Sequence, residues 1–156
     1  MPLRGFGATL DVSGALARMS GKILLVDDDP EMRALLRVTL DAFGVILDAS
    51  NGKDALRLIR EERPRLIILD VEMPEMGGFE ILRAARLIDP RVAVVMLSAL
   101  YDVAVAKRAL EGGASAYMTK PFDSDYLCAE VRRLIEGDAR RGSEGTAVQP
   151  WRILPS

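Results

Sequence analysis

Five short apolar runs alternate with five segments of helical periodicity, and this alternation constrains the fold more than any other feature of the sequence. The apolar runs lie at residues 23–26, 45–49, 66–69, 92–97 and 116–118. Strands that are buried on both faces of a parallel sheet read as continuous apolar runs, and helices connect them. The sequence therefore predicts an α/β fold in which βα units wind around a five-stranded parallel sheet.

The segments between the runs carry helix start signals. Pro30 suits the first turn of the first helix, and either Ser50 or Asn51 can cap the second. Only residues 45–49 alternate from one face to the other, so we expect this strand at an edge of the sheet. The remaining three helices are predicted to begin near Gly78, Asp102 and Asp123.

Length, charge and cysteine content exclude several classes of protein. A chain of 156 residues suits one domain, and a formal net charge of -2 without a long basic run argues against direct DNA binding. The single cysteine, Cys128, fits a reducing compartment. The longest apolar run, at 92–97, is far shorter than the roughly 20 residues of a membrane-spanning helix. We expect a soluble, cytoplasmic protein that does not insert into a membrane.

The domain boundaries follow from where the periodic pattern starts and stops. We predict one folded domain at 21–137, a flexible leader at 1–20 and a flexible tail at 138–156. Glycine and polar residues interrupt the leader, so a secretory signal is not expected, and Met19 is a candidate start. The tail holds an apolar cluster, which is either a docking peptide or an unstructured end: Trp151, Ile153 and Leu154.

Four of the five predicted strands end in polar or charged side chains. In open α/β sheets, ligands bind beyond the carboxyl ends of the strands, where the strand order reverses. These side chains are therefore expected to share one pocket. In chain order they are Asp27, Asp28 and Asp29 after the first strand, Asp70 after the third, Ser98 after the fourth, and Thr119 and Lys120 after the fifth.

The chemistry of this pocket indicates phosphoryl transfer. Two carboxylates 4 Å apart repel by about 1 kcal/mol in bulk water and by about 4 kcal/mol at an effective dielectric constant near 20. Mg²⁺, which prefers oxygen ligands and bridges to phosphate, and the ammonium group of Lys120 would relieve this repulsion. A carboxylate could then attack a phosphoryl donor and form an acyl phosphate. Asp29, directly before Pro30, is better interpreted as a helix cap.

Four motifs in order resemble the receiver domain of two-component response regulators over about residues 22–136. They are residues 23–30 (ILLVDDDP), 66–78 (LIILDVEMPEMGG), 97–99 (LSA), and 112–122, which contains YMTKPF. The resemblance implies a flavodoxin-like fold, a doubly wound five-stranded parallel sheet of order 2-1-3-4-5 flanked by five helices.

The resemblance also implies a role for each acidic residue of the pocket. Asp70 would be the phosphoacceptor, and Asp28 and Asp70 would bind Mg²⁺ together with the backbone carbonyl of Glu72. Asp27 would help to hold the metal, through water. The chain would therefore be a phosphoprotein with self-catalysed phosphotransfer and dephosphorylation, not an enzyme with a separate substrate.

Signal output in the family depends on residues at the ends of the last two strands. Ser98 and Lys120 would each contact a phosphoryl oxygen, and the Lys120–Pro121 bond would be cis. Ser98 and Tyr117 would act as the switch that remodels the surface of the fourth helix, fifth strand and fifth helix. Ser98 replaces the commoner threonine, and Glu72 stands where the family tunes phosphoryl lifetime.

The implied partners are proteins. The chain has no histidine, so the donor phosphohistidine would lie on a sensor histidine kinase or a phosphotransfer protein. The output would be a downstream protein target that the sequence does not identify. A homodimer through the fourth helix, fifth strand and fifth helix occurs among relatives.

Two other functions stay open at this point. A haloacid-dehalogenase-type phosphatase would use Asp27 and Asp29 as its signature pair, but Glu31 stands where that signature has Thr or Val, and Asp70 would have no role. A receiver-like binding module that is never phosphorylated is the second alternative. The intact set of pocket residues argues against it.

Overall fold

The computed structural model describes residues 21–100, 102–138 and 153–154. The strands in chain order are β1 (Lys22–Val26), β2 (Val45–Ala49), β3 (Leu66–Asp70), β4 (Ala93–Ser98), β5 (Ala116–Thr119) and β6 (Ile153–Leu154). The helices are α1 (Pro30–Leu40), α2 (Gly52–Glu62), α3 (Gly78–Ile88), α4 (Val103–Glu111) and α5 (Ser124–Asp138). A short 3₁₀ helix, Asp41–Phe43, follows α1. The predicted leader at 1–20 lies outside the described residues.

All neighbouring strands run parallel, in the order β2-β1-β3-β4-β5-β6. The predicted five-stranded order 2-1-3-4-5 is confirmed, and β2 lies at an edge as expected. The difference is β6, which pairs Ile153 with Tyr117 and Leu154 with Met118. The sequence placed Ile153 and Leu154 in a flexible tail, because two apolar residues are too short a run to show strand periodicity. The rest of that tail, 139–152 and 155–156, lies outside the described residues.

Two apolar layers enclose the sheet. Helices α1 and α5 cover one face, where their buried leucines and valine pack against alternate residues of the strands. Helices α2, α3 and α4 cover the other face through small and branched residues such as Ala55, Ile59, Ile81 and Ala109. Every residue of β3 and β4 is buried, as the continuous apolar runs predicted. The pocket at the carboxyl ends of these strands therefore rests on a closely packed base.

Side chains at the helix starts satisfy backbone N–H groups that lack an intrahelical partner. The Asp29 carboxylate accepts from the Glu31 amide at 2.9 Å, which confirms its interpretation as the cap of α1. Asn51 accepts from Asp54 at 2.8 Å, so the cap of α2 is Asn51 and not Ser50. Within the described ranges, none of the helices has the length and apolar character that a bilayer crossing needs.

The start of α3 contacts the end of β3 at Gly78. The Gly78 amide donates to the Val71 carbonyl at 3.0 Å, and a Cβ at this position would lie 2.5 Å from the Asp70 carbonyl oxygen. It would also lie 2.8 Å from the Val71 Cα, and neither backbone atom can rotate away. Only glycine allows α3 to approach so close to the backbone of Asp70, the predicted phosphoacceptor.

We predict that Gly78→Ala lowers the free energy of unfolding by about 1 to 3 kcal/mol, because the backbone must shift to admit the methyl group. Urea unfolding followed by circular dichroism measures the change. Gly137→Ala is the matched control, since a Cβ there has nothing within 4 Å and lies in a helix. It should be neutral or stabilising by up to about 1 kcal/mol. Equal effects of the two substitutions would contradict the close approach.

Candidate functional site

The acidic residues at the carboxyl ends of β1 and β3 lie side by side. The register that pairs Val26 with Leu69 places Asp27 beside Asp70, and both are buried, with 1% and 3% of their surface exposed. Asp28 is exposed at the rim. Each of the three carboxylates offers an oxygen within 4.8 Å of the other two. The structure therefore brings together the three predicted acidic groups at one end of the sheet.

Lys120 reaches this acidic cluster from the end of β5. Its ammonium nitrogen lies 3.0 Å from Asp27 Oδ2 and 3.2 Å from Asp70 Oδ1. The backbone holds the lysine in place, because its amide donates to the Ser98 carbonyl at 2.8 Å. The peptide bond from Lys120 to Pro121 is cis, as the resemblance implied. One cation thus bridges the two buried carboxylates.

Burial and charge set the protonation of these groups. Desolvation, reinforced by the negative charge of Asp27 and opposed by Lys120, raises the pKa of Asp70 from 3.8 to about 6. Burial by itself lowers the pKa of Lys120, but its hydrogen bond to Asp27 and the charges of Asp70 and Asp27 outweigh burial and raise it above the usual value. Lys120 therefore stays charged while Asp70 ionises near neutral pH.

Backbone donors orient both buried carboxylates. The Asp29 amide donates to Asp27 Oδ1 at 2.9 Å, and the Glu72 amide donates to Asp70 Oδ1 at 3.3 Å. The guanidinium of Arg33 donates to the Asp27 carbonyl at 2.7 Å. Sequence reasoning missed Arg33, although its position in the first turn of α1, directly after the acidic loop, is the signal that could have indicated it.

The Ser98 hydroxyl is fully buried and donates to the Glu72 carboxylate. The other Glu72 oxygen accepts from the Ala99 amide at 3.0 Å, and Ser98 Oγ accepts from the Leu100 amide at 2.9 Å. The resemblance assigned the backbone carbonyl of Glu72 to the metal and placed the residue where the family tunes phosphoryl lifetime, but it gave the carboxylate no partner. Its side-chain contact was missed, because the course of the loop after Asp70 decides where that carboxylate lies.

Tyr117, the second predicted switch residue, is completely buried in β5. Its hydroxyl donates to the Leu100 carbonyl at 2.8 Å, and burial raises the pKa of the phenol. Tyr117 is buried here because it belongs to the same apolar core as Ala106 and Ala109 of α4. The phenol thus ties β5 to the loop that follows Ser98.

The donor set fits Mg²⁺. All candidate side-chain ligands are carboxylate oxygens, the hard donors that this ion prefers. Two ligands of one ion at about 2.1 Å lie at most about 4.2 Å apart, so a cluster within 4.8 Å closes around the ion with small side-chain movements. The predicted ligands Asp27, Asp28 and Asp70 thus form a suitable magnesium site.

A family model described as the response regulator receiver domain matches residues 23–132. The chain belongs to the response regulator receiver family. This confirms the resemblance on which the strand order and the site roles were predicted. Magnesium-dependent phosphorylation is typical of this family of two-component proteins.

Curated relatives of this receiver differ in length. Sporulation initiation phosphotransferase F of Bacillus subtilis is 35% identical over 118 residues, which are 75% of this chain and 95% of that protein. A probable transcriptional regulator, ycf27, of Guillardia theta is 38% identical over 115 residues, 73% of this chain but 45% of the regulator. The chain thus spans about half the length of such regulators.

Solved receiver structures share the fold. The BeF3-activated receiver domain of DrrB, an OmpR/PhoB homolog of Thermotoga maritima, aligns with a TM-score of 0.72 and 34% identity. The alignment covers 76% of this chain and 99% of that one. Chemotaxis protein CheY4 of Vibrio cholerae aligns with a TM-score of 0.68 and 31% identity over 73% of this chain and 98% of CheY4.

The raised pKa of Asp70 predicts that the metal-free receiver loses stability as the pH rises. The folded state binds more protons than the unfolded state between pH 3.8 and about 6. The free energy of unfolding therefore falls as the pH rises through this range, by up to about 3 kcal/mol. Urea unfolding in EDTA at a series of pH values measures the change.

The substitution Asp70→Asn should remove this pH dependence, because the amide does not ionise. Asp41→Asn, which replaces an exposed aspartate outside the pocket, is the control and should leave it in place. If Asp70→Asn retains the full loss of stability between pH 4 and 7, the assignment of this titration to Asp70 is wrong.

Proposed function

We propose that the chain is a phosphorylation-dependent signalling switch in which Asp70 accepts a phosphoryl group from a phosphohistidine of a sensor kinase or phosphotransfer protein. The observation that carries the proposal is the contact of Lys120 with both Asp27 and Asp70, beside an acidic cluster suited to a divalent ion. This arrangement neutralises charge where an anionic donor must approach a carboxylate nucleophile.

In the proposed reaction, an Asp70 oxygen forms a bond to phosphorus while the bond from phosphorus to the histidine nitrogen breaks. The imidazole keeps the electron pair and leaves, so the product is an acyl phosphate. Asp28 and Asp70, with the Glu72 carbonyl and nearby Asp27, would hold Mg²⁺, which when bound supplies positive charge to the phosphoryl oxygens. Lys120, whose pKa is raised, stays protonated and binds a further oxygen.

The output would pass from Ser98 and Tyr117 to the surface formed by α4, β5 and α5. Ser98 Oγ lies at the end of β4 and would bond a phosphoryl oxygen in exchange for its present acceptor. Because the Tyr117 hydroxyl contacts the loop between Ser98 and α4, a shift of this loop changes the packing of β5. A protein target that binds this surface, or a second copy of the chain, would read the change.

The remaining assignments rest on composition and chemistry. We place the chain in the cytoplasm, because its single cysteine, Cys128, is free and the family works with phosphohistidine donors. The formal net charge of -2 does not favour direct DNA binding by this chain.

We propose no turnover of a separate substrate. The haloacid-dehalogenase scheme is disfavoured because the Asp29 carboxylate caps α1.

Incubation with acetyl phosphate and Mg²⁺ should add one phosphoryl group to the wild type and none to Asp70→Asn, as measured by intact mass. EDTA should abolish the addition, since charge neutralisation at the pocket would be incomplete. Asp125→Asn, which changes an exposed aspartate in the first turn of α5, is the matched control and should be modified like the wild type. Modification of Asp70→Asn would refute the proposed acceptor and favour another nucleophile.

Binding of Mg²⁺ alone should raise the midpoint of thermal unfolding. A ligand that binds only the folded state adds about 2.7 kcal/mol of stability at 100 times its dissociation constant. Asp28→Asn should lose most of this shift, and the exposed position of Asp28 spares the core. Asp125→Asn should keep the shift. A full shift in Asp28→Asn would exclude Asp28 as a metal ligand.

A further inference from the structure

The Glu72 side chain lies across the pocket and binds two donors at the end of β4. One carboxylate oxygen accepts from the buried Ser98 hydroxyl, and the other accepts from the Ala99 amide at 3.0 Å. The two donors are consecutive in the chain. A single anionic group therefore satisfies a pair of donors that both point toward the loop after Asp70.

This donor pair is also where the proposed phosphoryl group must bind. The register pairs Asp70 with Leu97, so Ser98 and Ala99 directly follow the residue opposite the acceptor. On the other side, Lys120 bonds the carboxylates of Asp27 and Asp70. A phosphoryl group on Asp70 has oxygens for Lys120 and for the donor pair at Ser98 and Ala99. The carboxylate of Glu72 already occupies the second of these positions.

We propose that the Glu72 carboxylate is a built-in competing anion, which must leave Ser98 and Ala99 before a phosphoryl group on Asp70 can bind them. The inference rests on the proposed function and assigns a positioning role to one side chain of the same site. The two anions present oxygens of similar size and charge to the same donors, so they cannot bind together. The free energy of the Glu72 contacts then opposes formation of the phosphorylated arrangement.

Exposure explains how the anion can be displaced. Glu72 as a whole is exposed, while Ser98 is buried. When the carboxylate leaves, it returns to water without disturbing the core, whereas the Ser98 hydroxyl is buried at the end of β4 and needs another acceptor. The exposed carboxylate is thus the partner that can leave at low cost, and a phosphoryl oxygen can replace it as the acceptor. The unphosphorylated pocket keeps its donors satisfied, and this favours the resting arrangement.

Two substitutions of Glu72 separate the effect of its hydrogen bonds to Ser98 and Ala99 from the effect of its negative charge. Glu72→Ala removes the hydrogen bonds and the charge. Glu72→Asp keeps the charge, but its side chain is about 1.5 Å shorter and does not reach the donor pair. Glu75→Ala removes an exposed carboxylate from the same loop and is the control. None of these changes alters the Glu72 backbone carbonyl that would face the metal.

The first measurement uses metal-free protein. Hydrogen exchange of the Ala99 amide, followed by NMR, should be slow in the wild type and in Glu75→Ala. It should be about tenfold faster or more in Glu72→Ala and Glu72→Asp, because the amide loses its acceptor. Unchanged exchange in both Glu72 variants would show that the contact does not form in solution, and it would overturn the inference.

The second measurement titrates beryllofluoride, a mimic of the phosphoryl group, in the presence of Mg²⁺. Both Glu72 variants should bind it about tenfold more tightly than the wild type and should react faster with acetyl phosphate. If Glu72→Asp matches the wild type while Glu72→Ala is faster, repulsion by the charge and not occupation of the donors is responsible, and the inference is wrong.

The two proposals fail in different ways. If neither the wild type nor any variant gains a phosphoryl group, the proposed function fails and the role of Glu72 fails with it. If all four proteins are phosphorylated at the same rate, the proposed function stands and only the role of Glu72 is refuted.

Discussion

The contact of one lysine with two buried carboxylates is the interaction on which the rest of this structure depends. Asp27 and Asp70 are nearly excluded from water, and charge buried without a partner is costly. Lys120 supplies the compensating charge, and it can do so only because β1, β3 and β5 end at the same side of the sheet. The compensation is incomplete, since the pKa of Asp70 is still raised to about 6. Negative charge therefore remains uncompensated in the pocket, and a bound divalent ion would neutralise it.

The sequence was sufficient to predict β1, β3, β4 and β5, because burial on both faces leaves a continuous apolar run in each of these strands. β3 and β4 are buried throughout and were found as continuous apolar runs. The strand order could not be read from such runs and came from the resemblance to receivers. β6 was missed for a physical reason, since its pairing depends on contacts with β5 and not on any pattern within Ile153 and Leu154.

The composition of the site was predictable for the same topological reason. Residues that follow parallel strands meet at one end of the sheet, so Asp27, Asp70 and Lys120 were assigned correctly to one pocket. Contacts that depend on the path of a loop were not predictable. The Glu72 carboxylate reaches Ser98 only because the chain after Asp70 turns toward β4, and no local pattern in the sequence encodes that direction. The sequence therefore identified the residues that form the pocket, and the structure added that the Ser98 hydroxyl and the Ala99 amide already donate to Glu72.

The placement of β6 along β5 has a consequence for how the molecule behaves at high concentration. A sheet margin with open backbone groups is a template on which foreign chains aggregate. At one margin, the edge strand is β6, which covers Tyr117 and Met118 of β5 and is only two residues long, so it offers few open backbone groups. At the opposite margin, the half-exposed carboxylate of Asp48 on β2 forms an ion pair with Arg37 at 2.9 Å, and a charge at such a position discourages the approach of an apolar strand. Both flanks of the sheet thus carry a safeguard against fibril-like stacking.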